Sequence, residues 1–399
     1  MNRLEKFLIL TNILIYFVLA IFSFSQVDLN LTLNDNRLFL NFTTMMQELG
    51  YYNRPASSVI FIFLEFLTFS FFILNLYLFY KRMISLKYLL ILLFSSVILL
   101  IFAYPFLSSD IFNYLFDAKI ILKYASNPYT HKPLDFPQDE WLRFMRWTHR
   151  YSPYGPAWLS ISLLPAIMGF GKFILTLISF KIFISVFHLI NTYLVYKIVS
   201  KLNPKMAVFG TSFYALNPLI LIEGIANGHN DIVQATFILL PILFLLNRNN
   251  ILSIFSLIIG ILIKYLSIFI MPLIIIEFFS KKKNSKRLVS LSILSLSVFL
   301  VVYSSVGIKT PFVNQGSIQT QFQPWYLIWV LPLISLIPSP NLIAAATALS
   351  IGASLRYLPF LYYGDWSHPY TILFMQLITI LPAISISIYL LISKKLLLR

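Results

Sequence analysis

Apolar runs recur along the whole chain, and most are about long enough to cross the roughly 30 Å hydrocarbon layer of a membrane as a helix. They occupy residues 7–25, 58–80, 88–107, 156–170, 172–198, 206–222, 232–247, 251–263, 265–279, 288–306, 324–338, 341–358 and 369–393. The sequence therefore predicts an all-α, polytopic helical membrane protein. We expect about 12–13 hydrophobic helices in a single integral membrane domain, residues 1–399.

The composition supports the same class of protein. Of the 399 residues, 59% are hydrophobic and only 11% are charged, whereas a soluble domain carries about 25% charged residues. A formal net charge of +16 would suggest a nucleic-acid partner for a soluble protein, but here we expect the lipid bilayer as the partner and no nucleic acid. The absence of cysteine excludes disulfides, thiolate metal sites and cysteine nucleophiles.

The distribution of charge predicts the orientation of the chain. Basic residues cluster at 3–6, 81–87, 197–205, 248, 281–287 and 394–399. Because short cytoplasmic loops are enriched in Lys and Arg, both termini and these loops are predicted to lie in the cytoplasm. Segment 156–170 must then be re-entrant or cross incompletely. On this topology 11 of the 14 acidic residues fall on the outer face, where we expect the function to reside.

The longest polar stretch, residues 108–155, is predicted to be an outer loop that contains juxtamembrane helices. Asp110 and Asp117 are seven residues apart, which places them on one helical face about 10 Å apart along the axis. That distance disfavours a close carboxylate pair. We favour one carboxylate that takes part in the reaction and a second that supports it. An alternative is that Asp110 only caps the helix.

Residues 140–150 of this loop have the pattern of an amphipathic helix lying in the membrane interface. Arg143, Arg146 and Arg150 would form a stripe on that helix, which could bind a lipid phosphate or simply anchor the loop on anionic lipid. Tyr154 follows in a proline-rich segment that re-enters the membrane.

Two further outer elements carry polar residues that a connecting turn does not need. The first, residues 217–231, includes Glu223, His229 and Asp231, for which we favour sugar binding or orientation of a base over metal binding. The second, residues 319–329, combines the glutamines Gln319, Gln321 and Gln323 with Trp325, Tyr326 and Trp329. An aromatic belt at the membrane interface is the alternative explanation for these aromatic residues.

Lys264 interrupts the apolar run 251–279, which predicts a hairpin of two short helices with Lys264 at its outer tip. A lysine there could neutralise a phosphate or extend to the outer lipid headgroups. Arg356 precedes the last outer loop, which contains His368. Glu65 and His188 lie within spans, and we interpret them as buried packing residues.

Several of these segments resemble one known family. The segments SSDIFNYLFDAKIILKYASNPY, YSPYGPAW, NPLILIEGIANGHND, ILIKYLSIFIMP and FQPWYLIWVLP resemble, in this order, the GT-C glycosyltransferases. The resemblance covers residues 88–335 and is to the polyprenol-phosphate-mannose-dependent mannosyltransferases of prokaryotes and their eukaryotic relative in glycolipid-anchor synthesis. It implies transfer of a sugar, with mannose expected, from a polyprenyl-phosphate donor to a glycan or glycolipid acceptor. The protein would be multi-pass in a prokaryotic cell membrane, with its active site facing outward.

The resemblance places the catalytic acidic residue at Asp110. No D-x-D motif stands there, so we predict no cofactor or bound metal and leave the dependence on a divalent metal open. The candidate supporting or sugar-binding residues are Asp117, Tyr114, Asn127, Tyr154, Glu223, Asn227, His229, Asn230, Asp231, Gln323 and Trp325. The candidate donor-phosphate ligands are Lys264, Arg146, Arg150 and Arg356.

Elementary chemistry leads to a matching mechanism. A lipid phosphate is a good leaving group that needs cations rather than a general acid. The acceptor hydroxyl needs a base, for which we select Asp110, and a single displacement would invert the anomeric centre. The alternatives are a transporter or flippase of a lipid-linked glycan, which would place its site near the midplane of the membrane, and a structural subunit.

Overall fold

The computed structural model describes residues 3–29, 35–280, 284–306, 322–366 and 369–396. The predicted roles of Gln319, Gln321 and His368, and of the basic residues 281–283, lie outside the described residues. Within the described residues the secondary structure is entirely helical, as the sequence predicts.

The long loop, residues 108–155, interrupts the series of helices. The helices up to the end of the loop are α1 (Arg3–Ser23), α2 (Arg37–Gln47), α3 (Arg54–Tyr80), α4 (Leu86–Ile101), α5 (Asp110–Tyr124) and α6 (Pro156–Met168). The helices after it are α7 (Phe173–Leu202), α8 (Ala207–Ala215), α9 (Pro218–Leu221), α10 (Asp231–Leu246), α11 (Asn250–Ile263) and α12 (Met271–Phe279). The remainder are α13 (Ser285–Val306), α14 (Leu331–Ser335), α15 (Pro340–Leu355), α16 (Leu358–Tyr363) and α17 (Pro369–Leu396).

Five helical segments of the described chain are long and apolar enough to cross a membrane: Arg3–Gln26, Arg54–Tyr80, Phe173–Leu202, Ser285–Ser304 and Pro340–Tyr363. Six shorter apolar helices accompany them. These elements agree with a polytopic helical membrane protein.

The apolar segment 206–222 is not the single straight span that its sequence predicts. It is divided between Pro204–Ala215 and Pro218–Ala226, which meet at an angle of 48°. The reason is local, because Pro218 cannot continue the hydrogen-bond ladder of the preceding helix. Asn217 starts the second piece by accepting a hydrogen bond from the Leu219 amide at 3.1 Å. The second piece ends as a π-helix, Ile222–Ala226.

This bend places a polar segment in the centre of the molecule. Every residue from Phe209 to Thr236 is buried, including the polar turn at 227–231. Helix α10 packs against α7 and α11, and the π-helix packs against α4 and α7. The polar turn therefore lies within the packed interior, where its side chains must bond to one another.

The long loop 108–155 contains α5 but not the second helix predicted for it. Residues Glu140–Phe144 form only a short 3-10 helix, and the chain continues in extended and irregular conformation. The prediction that Arg143, Arg146 and Arg150 form a stripe on one helical face is therefore wrong. The aromatic rings decide the conformation, because Phe144 stacks on Phe173 with the ring centroids 3.6 Å apart and thereby holds the loop to α7.

Two predicted apolar segments are also less regular than expected. Segment 324–338 forms a 3-10 helix, Pro324–Trp329, followed by the five-residue α14, so it is too short to span a membrane. The chain between α11 and α12 breaks at Lys264, as the sequence predicts, and continues as a 3-10 helix, Tyr265–Ile270. The end of α11 is tied to the long loop, because the Gly155 amide donates to the Ile263 carbonyl at 3.1 Å.

Candidate active site

A cavity of about 360 Å³ lies beneath the long loop. This volume falls within the range of about 300–1,000 Å³ that small-molecule sites occupy. It is lined by residues from the N-terminal segment, the start of α5, the loop and the chain near α16: Gln26, Asp28, Tyr104, Pro105, Phe106, Leu107, Ser108, Ser109, Asp110, Phe112, Arg143, Phe144, Met145, Arg146, Trp147, Gln323, Trp325, Tyr357, Phe360, Leu361, Trp366 and Met375. The cavity thus brings together residues that are distant in the sequence.

Asp110 contributes a carboxylate to the wall of this cavity. It is the first residue of α5, and the capping position before it belongs to Ser109, so the interpretation of Asp110 as a helix cap is wrong. Burial raises the pKa of the Asp110 carboxyl, while the nearby His229 and Lys264 lower it. The side chain keeps 21% of its surface exposed, so a ligand in the cavity can reach it.

His229 lies directly behind Asp110 and is surrounded by carboxylates. Its Nδ1 atom is 3.9 Å from Asp110 Oδ2 and also 3.9 Å from Asp231 Oδ2, and its Nε2 atom is 3.4 Å from Glu223 Oε2. The indole of Trp325 stacks on the imidazole with the ring centroids 4.1 Å apart. The Trp325 ring packs against one face of the imidazole, while neither ring nitrogen of His229 has a hydrogen-bond partner among the described residues.

Glu223 and Asn227 connect this centre to the start of the long loop. The Asn227 amide donates to Glu223 Oε2 at 2.9 Å, and Asn227 Oδ1 accepts from the Leu107 amide at 3.2 Å. Because Leu107 comes just before Asp110, these bonds hold the backbone that positions the carboxylate.

Asp231 and Lys264 form an ion pair next to His229. Lys264 Nζ donates to both carboxylate oxygens of Asp231 at 2.7 Å, and Trp329 donates its indole N–H to the same carboxylate. Asp231 is fully buried and Lys264 is largely so. Lys264 therefore balances the charge of a buried aspartate. The sequence did not predict this role for Lys264.

Two tyrosines, Tyr114 and Tyr154, pack between α5 and the buried turn. Tyr114 donates its hydroxyl to Asn230 Oδ1 at 3.3 Å, and its ring packs edge-on against Tyr154 with the centroids 4.9 Å apart. Asp117 lies one helical turn beyond Tyr114 and is 4% exposed. Burial raises the pKa of Asp117 to about 7, against a smaller lowering by Ser152.

The remaining candidates are not all near Asp110. Arg146 lines the cavity together with Arg143, whereas Arg150 lies 4.1 Å from the ring of Trp147 and its charge acts on Asp110. Arg356 is buried and donates to the Met375 carbonyl at 3.1 Å. Asn127 is exposed and accepts from the Tyr129 amide at 2.9 Å, as in an ordinary turn.

Sequence reasoning missed some residues of this centre. An interfacial belt was the alternative explanation for Trp329, but this residue is buried and hydrogen-bonded to Asp231, a contact that the sequence did not predict. Tyr357, Phe360 and Trp366 line the cavity without having been selected. Only their position near Arg356 and the last polar loop of the sequence could have indicated them. Within the described residues no three His, Asp or Glu side chains are grouped so as to hold a metal ion.

Helices long and apolar enough to cross a membrane, and a carboxylate in a cavity beneath a long loop, give the described residues the form of a multi-pass membrane enzyme. The chain belongs to the MptA_B family, because the family model described as the α-(1→6)-mannopyranosyltransferase N-terminal domain matches residues 19–280. The protein is accordingly a glycosyltransferase of the mannosyltransferase type, which the resemblance predicted. The matched region includes Asp110, His229, Asp231 and Lys264. No curated protein and no solved structure matches the chain.

The ion pair of Asp231 and Lys264 makes a testable contribution to stability. Substitution Lys264→Met leaves Asp231 as a buried charge without its counter-ion, which costs about 3–5 kcal/mol. We expect a clear fall in the thermal unfolding midpoint of the purified protein in detergent. The double variant Asp231→Asn/Lys264→Met should regain part of that loss, because it removes both charges.

Lys87→Met is the matched control, since Lys87 is exposed at the start of α4. Equal unfolding midpoints for Lys264→Met and Lys87→Met would contradict the assignment of Lys264 as a structural counter-ion.

The buried carboxyl of Asp117 should make the stability of the protein depend on pH. Its pKa in the folded protein is about 7, above the value near 3.9 of an unfolded chain, so folding favours the protonated form. The stabilisation is complete below about pH 4 and is lost as the pH rises to about 7. The variant Asp117→Asn should therefore show a smaller fall of the unfolding midpoint between pH 4 and 8.

The control is Asp135→Asn, because Asp135 lies in the same loop and is exposed. If the unfolding midpoints of Asp117→Asn and Asp135→Asn both change with pH as that of the unmodified protein does, the buried carboxyl of Asp117 is not the cause of the pH dependence of stability.

Proposed function

We propose that the protein is a GT-C-type membrane transferase that moves mannose from a polyprenyl-phosphate donor to a glycan or glycolipid acceptor at the non-cytoplasmic face. The observation that carries the proposal is the position of Asp110. This carboxylate lies in a cavity beside two arginines and several aromatic side chains, inside the region that the family model matches. An acid, cations and flat apolar surfaces are the groups that a base-assisted transfer of a sugar from a lipid phosphate requires.

The reaction is a single displacement at the anomeric carbon of mannose. Asp110 accepts the proton of the acceptor hydroxyl while that oxygen forms the new bond to the anomeric carbon. The bond from this carbon to the phosphate oxygen breaks, and the lipid phosphate leaves with the electron pair. Because one displacement occurs and no covalent sugar–enzyme intermediate forms, the configuration at the anomeric carbon inverts.

Cations near the cavity stabilise the departing phosphate. Arg143 and Arg146 line the cavity, and the charge of Arg150 acts on Asp110. Arginine is suited to this role because its planar fork binds phosphate oxygens in pairs. Lys264 and Arg356 are less available, since Lys264 is paired with Asp231 and Arg356 is buried. Among the predicted phosphate ligands we therefore give Arg146 and Arg150 the principal role.

Residues around Asp110 hold the sugar and the base. Gln323 and Trp325 line the cavity and supply an amide and an aromatic face for the mannose ring. His229 lies between Asp110 and Glu223, 3.9 and 3.4 Å from their carboxylate oxygens, and we assign it to positioning Asp110 through charge rather than through a hydrogen bond.

The transporter interpretation has less support. Family membership favours a transferase over a flippase. The positive-inside distribution of Lys and Arg is the basis for proposing that the active site faces outward. The family resemblance is the basis for proposing a prokaryotic cell membrane.

The activity can be measured directly. Purified protein in lipid nanodiscs is incubated with radiolabelled polyprenyl-phosphate mannose and a glycan acceptor from membranes. We expect protein-dependent transfer of the label to the acceptor. A flippase would move a lipid-linked sugar across the bilayer without breaking its bond to phosphate.

Substitution of the base should abolish this transfer. Asp110→Asn keeps the size of the side chain but cannot accept the proton, so turnover should fall by about 100-fold or more. Asp135→Asn, in the exposed part of the same loop, serves as the control and should keep full activity. Undiminished transfer by well-folded Asp110→Asn would exclude Asp110 as the base.

The pH dependence of the transfer tests the same assignment. The base works only when ionised, and burial raises the pKa of Asp110. The value of kcat/KM should therefore rise with pH, with its midpoint above the value near 3.9 of an ordinary aspartate. The variant Asp117→Asn should retain this rise. If the rise disappears in Asp117→Asn, the titrating group is Asp117 and not Asp110.

A further inference from the structure

A second cavity lies on the other side of the long loop. Its volume is about 440 Å³, and it is lined by Leu115, Lys119, Leu122, Lys123, Trp141, Ala166, Ile167, Gly171 and Thr176. Among the described residues the two cavities share no lining residue. We call this second cavity the lysine groove, after its two lysines.

An aromatic wall lies between the lysine groove and the cavity that contains Asp110. The ring of Phe173 stacks on Phe144 and on Phe112, with centroids 3.6 and 6.0 Å apart. Phe112 and Phe144 line the first cavity, whereas Trp141, which packs against Phe173 at 5.4 Å, lines the groove. The groove is therefore a separate site and not an extension of the first one.

The groove is located at one end of a membrane span. Helix α7 is long and apolar enough to cross the membrane. It begins at Phe173, two residues after the groove residue Gly171. Apolar side chains around the groove are exposed, with Ile167 at 58%, Phe170 at 81% and Leu122 at 46%. Exposed apolar residues at the end of a span contact lipid, so the groove lies at the boundary between headgroups and acyl chains.

The polar side of the groove contains two lysines that share a single aspartate. Asp139 is buried and accepts from Lys119 Nζ at 2.7 Å, from the Tyr124 hydroxyl at 2.6 Å and from the Trp141 amide at 2.8 Å. Lys123 also pairs with this carboxylate, with its Nζ atom 3.6 Å from Oδ2, and its side chain is 59% exposed. Two lysines thus share one aspartate, which leaves one positive charge in excess, and Lys123 is the more exposed of the two lysines.

Other charges near the groove leave the rim positive. Lys172 follows Gly171 and is exposed, and Glu140, which is also exposed, interacts with Lys119. Trp141 supports Lys119, whose Nζ atom is 3.7 Å from the centre of the indole. An apolar floor, an interfacial tryptophan and a lysine at the rim are the features that bind an acyl chain and its anionic headgroup.

We propose that the lysine groove binds an anionic membrane lipid, with its phosphate at Lys123 and an acyl chain along Leu122, Ala166 and Ile167. The site differs in position and in role from the transfer site. Helix α5 connects the two, because Asp110 begins this helix and Lys123 lies in its last turn. A lipid bound in the groove would hold the end of α5 and thereby the helix that carries the proposed base.

Native mass spectrometry of the full-length protein in detergent tests the proposal with dioleoylphosphatidylglycerol as the probe and dioleoylphosphatidylcholine as the neutral reference. We expect tighter retention of the anionic lipid, weakened about fivefold by Lys123→Gln and further by Lys123→Glu. Lys123→Arg should retain it. The control Lys87→Gln removes an exposed lysine at the start of α4 and should leave binding unchanged. Equal weakening by Lys123→Gln and Lys87→Gln would overturn the proposal.

Fluorescence quenching tests the location independently. Phosphatidylglycerol with brominated acyl chains should quench Trp141, so Trp141→Phe should remove part of the quenching. The matched control is Trp147→Phe, because Trp147 lines the other cavity. Unchanged quenching in Trp141→Phe, or displacement of the lipid by inorganic phosphate at the same concentration, would refute the lipid site. Neither measurement uses sugar transfer, so a failure of the proposed transferase activity would not affect this result.

Discussion

The buried ion pair of Asp231 and Lys264 is the interaction on which the centre of the molecule depends. A carboxylate with no exposed surface is tolerated only when a cation and hydrogen-bond donors compensate for its lost hydration. Lys264 supplies the charge, and Trp329 supplies a further donor. Because these residues come from three distant segments, the pair also joins α10, the break after α11 and the chain before α14.

The break in the helix at Lys264 makes this contact possible. Lys264 has an extended backbone, with φ −142° and ψ 130°, between α11 and the 3-10 helix that follows. The Gly155 amide bonds to the carbonyl of Ile263 at 3.1 Å, so the long loop is attached at the same point. The loop that covers the cavity and the lysine that neutralises the interior are thus held by one local departure from helical structure.

The carboxylates around His229 include that of Asp110. His229 lies between Asp110, Glu223 and Asp231, and Trp325 covers one face of its ring. Asp110 therefore lies at the edge of a buried polar group and keeps 21% of its side chain exposed, so it remains accessible from the cavity. A carboxylate within reach of a ligand is what general-base catalysis requires.

The sequence by itself determined the class of the protein, most helix boundaries and the break at Lys264. It could do so because a helix in lipid must be apolar over its length, and because a lysine in such a run disrupts that pattern locally. Glu223, His229 and Asp231, which a connecting turn does not need, also identified that turn as unusual. The family resemblance then selected Asp110 from among the acidic residues.

Only the tertiary structure decided how these segments use their side chains. Phe144 stacks on Phe173, and for that reason residues 140–150 do not form the helix that their periodicity favours. Trp329 reaches Asp231 instead of the membrane interface, and Lys264 pairs with that aspartate. These contacts join residues far apart in the chain, and a pattern read along the sequence carries no information about which distant partner neutralises a buried charge.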